Sequence, residues 1–383
     1  MTRSKSKITK YLIPFFLIIF YVAYAGIKMA YADEPKNEIA PTPEKTEISA
    51  SVHSEESEVV SEHKSEKLDA GKMILEHIAD AHDWHIAGHL SIPLPIIIKD
   101  ATGFKFFSSS RFEHGHAAYL GYKIVENKIA AVNEDGTVIQ DASFYDLSIT
   151  KNVASMFFAV FTLLWIMLSI AGRYKKDSLR APKGIQSLVE PLIIFLRDEV
   201  VKPSIGPKYE KFLPYLLTIF FFIFINNLFG LIPFMPGGAN VTGNIAITLV
   251  LATFTFVITS YNGNKGYWKH IVLPPGVPMW LLPMMIPIEI IGTLNKPIVL
   301  MIRLFANITA GHIIILGFLS LIFIFAEMNA GLGYGVSIVS VSFSVFMYML
   351  ELLVAFLQAY VFTLLSSLYF GAAVEEHHTE DHH

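Results

Sequence analysis

The sequence predicts an all-α polytopic membrane protein with about five membrane helices, the last two forming a long tilted hairpin, and a small strand-containing module ahead of them. Three observations carry this reading. Of 383 residues, 53% are hydrophobic and only 16% charged, whereas soluble domains usually carry about one quarter charged residues. The apolar residues gather in runs long enough to cross a hydrocarbon layer about 30 Å thick. The acidic residues concentrate before those runs, with 21 acidic against 10 basic side chains between residues 33 and 150.

Taken from the start, MTRSKSKITK is a basic leader, YLIPFFLIIFYVAYAG an apolar run, and Ala30-Tyr31-Ala32 a small-x-small site before Asp33. Residues 1–32 therefore read as a signal peptide, with an uncleaved anchor helix as the alternative. Residues 33–70 are polar and charged, too poor in apolar groups to offset chain ordering, and read as a disordered exported tether. From 71 to 150 the pattern changes to a compact exported module. FKFF, AAYLGYKIV and KIAAVNEDGTVI read as short strands, with a turn at Asn133 to Gly136.

The membrane domain is expected over 151–372. Its first span, 153–172, ends in Arg173, Lys175, Lys176, Arg180 and Lys183, which mark the inner side. Residues 184–210 read as an amphipathic helix lying in the inner interface. Further spans are expected at 212–234 and 245–261, followed by a loop with Lys265 and Lys269. The five prolines of IVLPPGVPMWLLPMMIP then argue against a straight helix before Pro287. Two apolar runs, 288–325 and 336–370, flank a turn at 326–335. As helices they would reach more than about 50 Å, so they must tilt, break or lie across the bilayer. The tail, 373–383, is polar and falls inside if the N-terminal region is exported.

These two runs hold the unusual polar residues. Arg303 is followed by no charged residue until Glu327, although a guanidinium at mid-membrane costs roughly 2.5–3.5 kcal/mol even on a lenient scale. Arg303 and Asn307 share a helix face, as do Glu351 and Gln358. If the runs pair antiparallel, Arg303 meets Gln358 in one layer and His312 meets Glu351 in another, nearer the outside. His312 and Glu351 can relay protons; Arg303 is a fixed positive charge that can separate two routes. A structural ion pair for Arg303, and interhelical hydrogen bonding for Asn307 and Gln358, are the plainer alternatives. Glu289 and Lys296 stand near the inner end, as snorkelling charges or as inner-side support. Asn226, Asn227, Asn240 and Asn244 could polarise the middle helices or satisfy interrupted backbone.

In the module, HIADAHDWHIAGH brings His77, His82, His85 and His89 close in sequence. On a helix His82, His85 and His89 would lie near one face and could bind zinc, but no HExxH motif accompanies them, and packing histidines are the default. Cysteine is absent, which excludes disulfides and thiolate chemistry. Neither a phosphate-cradling GxxxxGK(S/T) loop, a GxSxG motif nor a nucleic-acid signature occurs, so the chain itself is not expected to bind ATP or nucleic acid.

The segments IEIIGTLNKPIVLMIRLFANITAGHIII and ELLVAFLQAYVFTLLSSLYF, with PYLLTIFFFIFINNLFGLIPF before them, resemble subunit a of the membrane sector of F-type ATP synthase over about 150–372. That resemblance implies a proton-translocating stator subunit of the bacterial inner membrane, non-catalytic for ATP by itself and without a cofactor. Its implied partners are a c-subunit ring, b-type peripheral stalk subunits, membrane lipid and, indirectly, the catalytic head. Arg303 occupies the position that meets the ring carboxylate, Asn307 and Gln358 match flanking polar positions, and His312 with Glu351 match the half-channel pair. Many bacterial members carry the acid first and the imidazole second; here the order is exchanged. The long region before 150 resembles Bacteroidetes-like members. The competing readings are a secondary transporter, for which no internal repeat is found, and an envelope scaffold, which leaves the charge layers without a role.

Overall fold

The computed structural model describes residue 71, residue 74 and residues 78–375, with gaps at 88–89, 126, 134, 140–141, 177–180, 233–236 and 275–276. The expected signal peptide and tether, His77, His89 and the end of the tail lie outside the described residues.

Among its described residues the module holds three small antiparallel sheets. Strands β1 (Asp83–Ala87) and β2 (Leu90–Pro93) form one hairpin. Strand β3 (Pro95–Asp100) pairs with β4 (Gly103–Ser108) on one side and β7 (Tyr145–Asp146) on the other. A third hairpin joins β5 (Tyr122–Val125) to β6 (Lys128–Ala131). Period-two alternation buries Ile96 and Ile98 of β3 against Phe112, Tyr122 and Ile129. FKFF lies in β4, whereas the expected strands AAYLGYKIV and KIAAVNEDGTVI shorten to YKIV in β5 and KIAA in β6, and Gly136 N–H donates to the Asn133 carbonyl in the expected turn. The helical condition for bringing His82, His85 and His89 to one face is not met: His85 lies in β1 opposite Ser91. Strand pairing of DWHIA with LSIP satisfies that backbone between the two strands of the hairpin.

Among the described residues five helices are long and apolar enough to cross a membrane, making this a multi-pass membrane protein. The first is α1 (Lys151–Lys176). Helix α2 (Ile185–Phe195) continues through a π-helical stretch, Leu196–Val201, and the short α3 (Lys202–Ile205) into α4 (Tyr209–Leu231). The interfacial helix expected at 184–210 thus runs by near-continuous helical turns into the next span. Helix α5 (Ile245–Asn262) begins on Asn244, whose side chain accepts from the Ala246 N–H at 3.0 Å, a capping arrangement. The expected loop after it folds instead as α6 (Lys265–Val272), capped in the same way by Asn264 at Tyr267 N–H.

The hairpin is longer than its apolar runs. Helix α7 spans Leu282–Met328, 47 residues, and passes through Pro287 and Pro297; helix α8 spans Ala330–Val374, 45 residues. The helix break expected before Pro287 is therefore confined to residues before Leu282. The ten-residue turn shrinks to Asn329, extended in backbone and capping α8 at Gly331 N–H. Gly333 permits this: a Cβ there would stand 2.8 Å from Ala326 Cα, so the two helices close on each other only over a hydrogen.

Helix α8 packs along α7 and against α4 and α5, while α1 covers α4. The membrane core joins Phe220, Phe222 and Ile223 of α4 with Leu300 and Leu304 of α7 and Phe362 of α8. Lipid is as apolar as these side chains, so close packing and interhelical hydrogen bonds hold the bundle, the latter at about 0.6–2 kcal/mol each. Tyr215 and Thr255 share one such bond at 2.8 Å, and Asn227 Nδ2 donates another to the Ala355 carbonyl at 3.2 Å.

Candidate functional site

The hairpin brings the expected polar residues into two layers. In one, Gln358 is buried and its Nε2 donates to the backbone carbonyl of Arg303 at 3.4 Å. The glutamine thus meets the helix at Arg303 rather than the guanidinium expected to be its partner. Leu300, Leu304 and Ile308 turn to the core, and Arg303 and Asn307 stand exposed on the flank that borders this buried stripe of α7. Among the described residues no carboxylate pairs with Arg303. Apolar side chains stand exposed next to it on α7, Val299 one turn before and Ile302 directly preceding.

In the second layer Glu351 is 5% exposed, and neither carboxylate oxygen accepts a hydrogen bond. His312 Nδ1 stands 3.6 Å from Glu351 Oε1, close enough for strong electrostatic coupling but longer than a normal hydrogen bond. Gly311 makes room for the acid: a Cβ there would lie 2.9 Å from Glu351 Oε1. Gly230 at the end of α4 faces the imidazole, where a Cβ would make only ordinary contact, 3.7 Å from His312 Nε2. A carboxylic acid and an imidazole so placed can hold a proton in turn without either being consumed.

The other expected positions separate. Lys296 Nζ lies 5.7 Å from the Tyr267 ring centre and 5.5 Å from that of Tyr369, a cation–π seat between α6 and α8 rather than a loose boundary charge. Glu289 is half-buried on the same end of α7. Asn226 donates within its own helix to the Phe222 carbonyl, Asn227 bridges to α8 and accepts from Thr242 Oγ1 at 2.6 Å, and Asn244 caps α5. Asn240 is buried with neither side-chain polar atom hydrogen-bonded to protein. In the module, His82 Nε2 approaches Asp146 Oδ2 at 3.5 Å, and no three candidate metal ligands converge among the described residues. Gly311, Gly230 and the isolation of Asn240 escaped sequence reasoning. Only the glycine directly before His312 offered a signal.

Comparison with known proteins places this geometry in context. Residues 153–371 match the family described as ATP synthase A chain, and residues 73–149 match a domain of unknown function. ATP synthase subunit a 2 of Chlorobaculum tepidum is 48% identical over 245 residues, covering 62% of this chain and 67% of that protein. ATP synthase subunit a of Chloroherpeton thalassium is 46% identical, with 62% and 71% covered. The similarity to ATP synthase subunit a of an Anaeromyxobacter species, at 38% identity, extends over 82% of this chain and 73% of the relative.

Proposed function

This chain belongs to the ATP synthase A chain family, and on that footing we propose that it is the proton-translocating stator subunit of a rotary ATP synthase, forming two half-channels against a rotating c ring. The observation that carries the proposal is the exposed Arg303 on an apolar hairpin flank, without a carboxylate partner among the described residues. A charge held in lipid at a cost of several kcal/mol finds its natural complement in a carboxylate on another membrane subunit.

On this reading residues 33–150 are exported as tether and module, the basic ends of α1 and α6 face the cytoplasm, and the tail is cytoplasmic. A proton arrives from the outer side at His312 and Glu351 and neutralises a ring carboxylate. After the ring has turned, that carboxylate releases its proton to the inner side, where Glu289 and Lys296 support the exit. Arg303 attracts the newly ionised carboxylate and bars direct leakage between the routes; Asn307 shares its flank, and Gln358 steadies the helix that bears it. The subunit does no ATP chemistry itself and meets the catalytic head through b-type stalk subunits. The long N-terminal form is the one read as Bacteroidetes-like. Titratable His312 and Glu351 favour the proton over sodium as coupling ion.

Replacement of Arg303 is the test. Arg303→Ala is expected to assemble with the ring and to abolish ATP-driven proton pumping. Arg303→Lys is expected to fail largely too, since lysine lacks the planar five-donor fork and gives up its proton in apolar surroundings. Gln358→Leu is expected to be milder, because the carbonyl it meets keeps its helical bond. Wild-type pumping by ring-containing Arg303→Ala complexes would refute the role; loss of assembly before loss of pumping would favour the structural reading.

A further inference from the structure

The stator role leaves the strand module without a task, yet the module reaches the half-channel pair. On the module side of His312 lies a cavity with about 50 Å³ of room for water centres, enough for about four waters at 10–15 Å³ apiece. His312 and Leu316 of α7, Tyr348 of α8, Gly238 and Asn240 of the α4–α5 linker form most of its lining. Ile78, from the segment that leads into β1, also lines it. Asn240 is 6% exposed, and with both amide atoms unmet by protein it needs water in this cavity, since an unsatisfied buried amide costs about 1–3 kcal/mol.

The segment bearing Ile78 is fastened from two directions. Asp80 Oδ1 accepts from the Asn152 N–H at 3.0 Å and the Ala81 carbonyl from the Lys151 N–H at 2.8 Å, tying it to the start of α1. Trp84, 2% exposed, donates its Nε1–H to the Gly237 carbonyl at 3.1 Å, one residue from the cavity wall at Gly238. Trp84 also packs edge-on against Phe158 of α1, with ring centres 6.4 Å apart. These contacts span module, first helix and linker, so the position of Ile78 is set by the module's docking.

We propose that the segment Ile78–Trp84 of the exported module is a wall of the water route leading to the His312–Glu351 pair, so that protons reach the pair past the module. The inference rests on the stator reading. Ile78 carries no proton; its contribution is steric, setting the width of a short aqueous passage whose polar side is Asn240 and His312. An apolar constriction of a few waters' width is sensitive to small changes in bore.

The chain has no cysteine, so Ile78→Cys can be modified selectively in an assembled complex whose other subunits carry no reactive thiol. The reagents are a methanethiosulfonate adding only a methylthio group and a bulky water-soluble maleimide, both added from the module side. Passive proton conduction through the membrane sector is read after removal of the catalytic head. The maleimide adduct is expected to lower conduction at least about fivefold and the small adduct less than about twofold, as expected of a bore-limited passage. Phe104→Cys, on an exposed face of β4, serves as the control and is expected to leave conduction unchanged. Unchanged conduction with a fully labelled Ile78→Cys, failure of that thiol to react at all, or an equal loss from the Phe104 adduct would each overturn the wall. Because modification follows assembly, misfolding does not enter the result. If Arg303→Ala still abolishes pumping while the Ile78 adducts do nothing, the wall fails and the stator reading stands; pumping by Arg303→Ala removes the reading beneath it.

Discussion

A methyl group at position 311 tests the acid–imidazole pair with little disturbance to the helix. The Cβ of Gly311→Ala would stand 2.9 Å from Glu351 Oε1 and 3.2 Å from its Cδ. Comfortable contact lies near 3.5 Å, so the carboxylate must retreat by roughly 0.5 Å. The retreat shifts an acid that stands 3.6 Å from His312 Nδ1. Turning a side chain about 30° from its rotamer costs about 0.5–1.5 kcal/mol, which corresponds to about a 2- to 12-fold slower step. Helix propensity works in the opposite direction, favouring alanine over glycine by about 0.8–1 kcal/mol. Assembly should therefore be unimpaired while ATP-driven pumping per assembled complex falls severalfold. Gly317→Ala is the matched control on the same helix, since nothing stands within 4 Å of its Cβ, and it should pump like wild type. Equal pumping by the two variants would refute the view that the room at Gly311 is kept for Glu351.

Two further predictions concern the module and the ion. Asp100 is held below the usual carboxylate range by Lys105 at 2.8 Å, then by Thr102 and Tyr122, while burial and the Asp100 hydrogen bond push the Tyr122 phenol up to about 12. Asp100 therefore stabilises the module above about pH 4 and loses that contribution as pH falls below it; Tyr122 contributes below about pH 10 and loses its share as pH rises from there towards 12. Asp80, raised mainly by burial, acts with the opposite sign on the acid side, so the comparison must be made against Asp100→Asn. Hydrogen-exchange protection of β3 and β4 amides should lose part of its acid limb in that variant, and identical limbs would refute the assignment. For the ion, ATP synthesis in native vesicles should collapse with a protonophore and be indifferent to sodium; protonophore-insensitive, sodium-driven synthesis would overturn the proton reading.

What could be read from the sequence follows from what each signal depends on. Spans were legible because hydrocarbon demands long uncharged runs, and the hairpin register because antiparallel partners keep a nearly constant sum of residue numbers: His312 does meet Glu351, and Gln358 does meet Arg303. The course of α7 was not legible. Pro287 and Pro297 remove amide donors, yet in a membrane bundle neighbouring helices and local adjustment tolerate the break. Strand β3 was hidden because PIIIKD is an apolar run without alternation, and β1 because histidines spaced by three and four imitate a helical face. Gly311, Asn240 and Ile78 matter through contacts with residues dozens of positions away, which no local pattern encodes.

On the proposed stator role, the length of the hairpin bears directly on how the two layers would serve a rotating partner. Helix α7, at 47 residues, is about 70 Å long. If straight and confined to hydrocarbon about 30 Å thick, it would tilt by about 65° from the membrane normal. Arg303 lies near the midpoint of α7 and so near mid-membrane. His312 follows nine residues later, about 14 Å along the axis. At that tilt the separation resolves into only about 6 Å of depth and about 12 Å in the membrane plane. An upright helix would stack arginine and proton-transfer pair one above the other, where a group at fixed depth could visit only one of them. At the tilt of about 65° the two would lie side by side at similar depth. A carboxylate carried in the plane of the membrane could then meet the positive charge and the protonation site in succession.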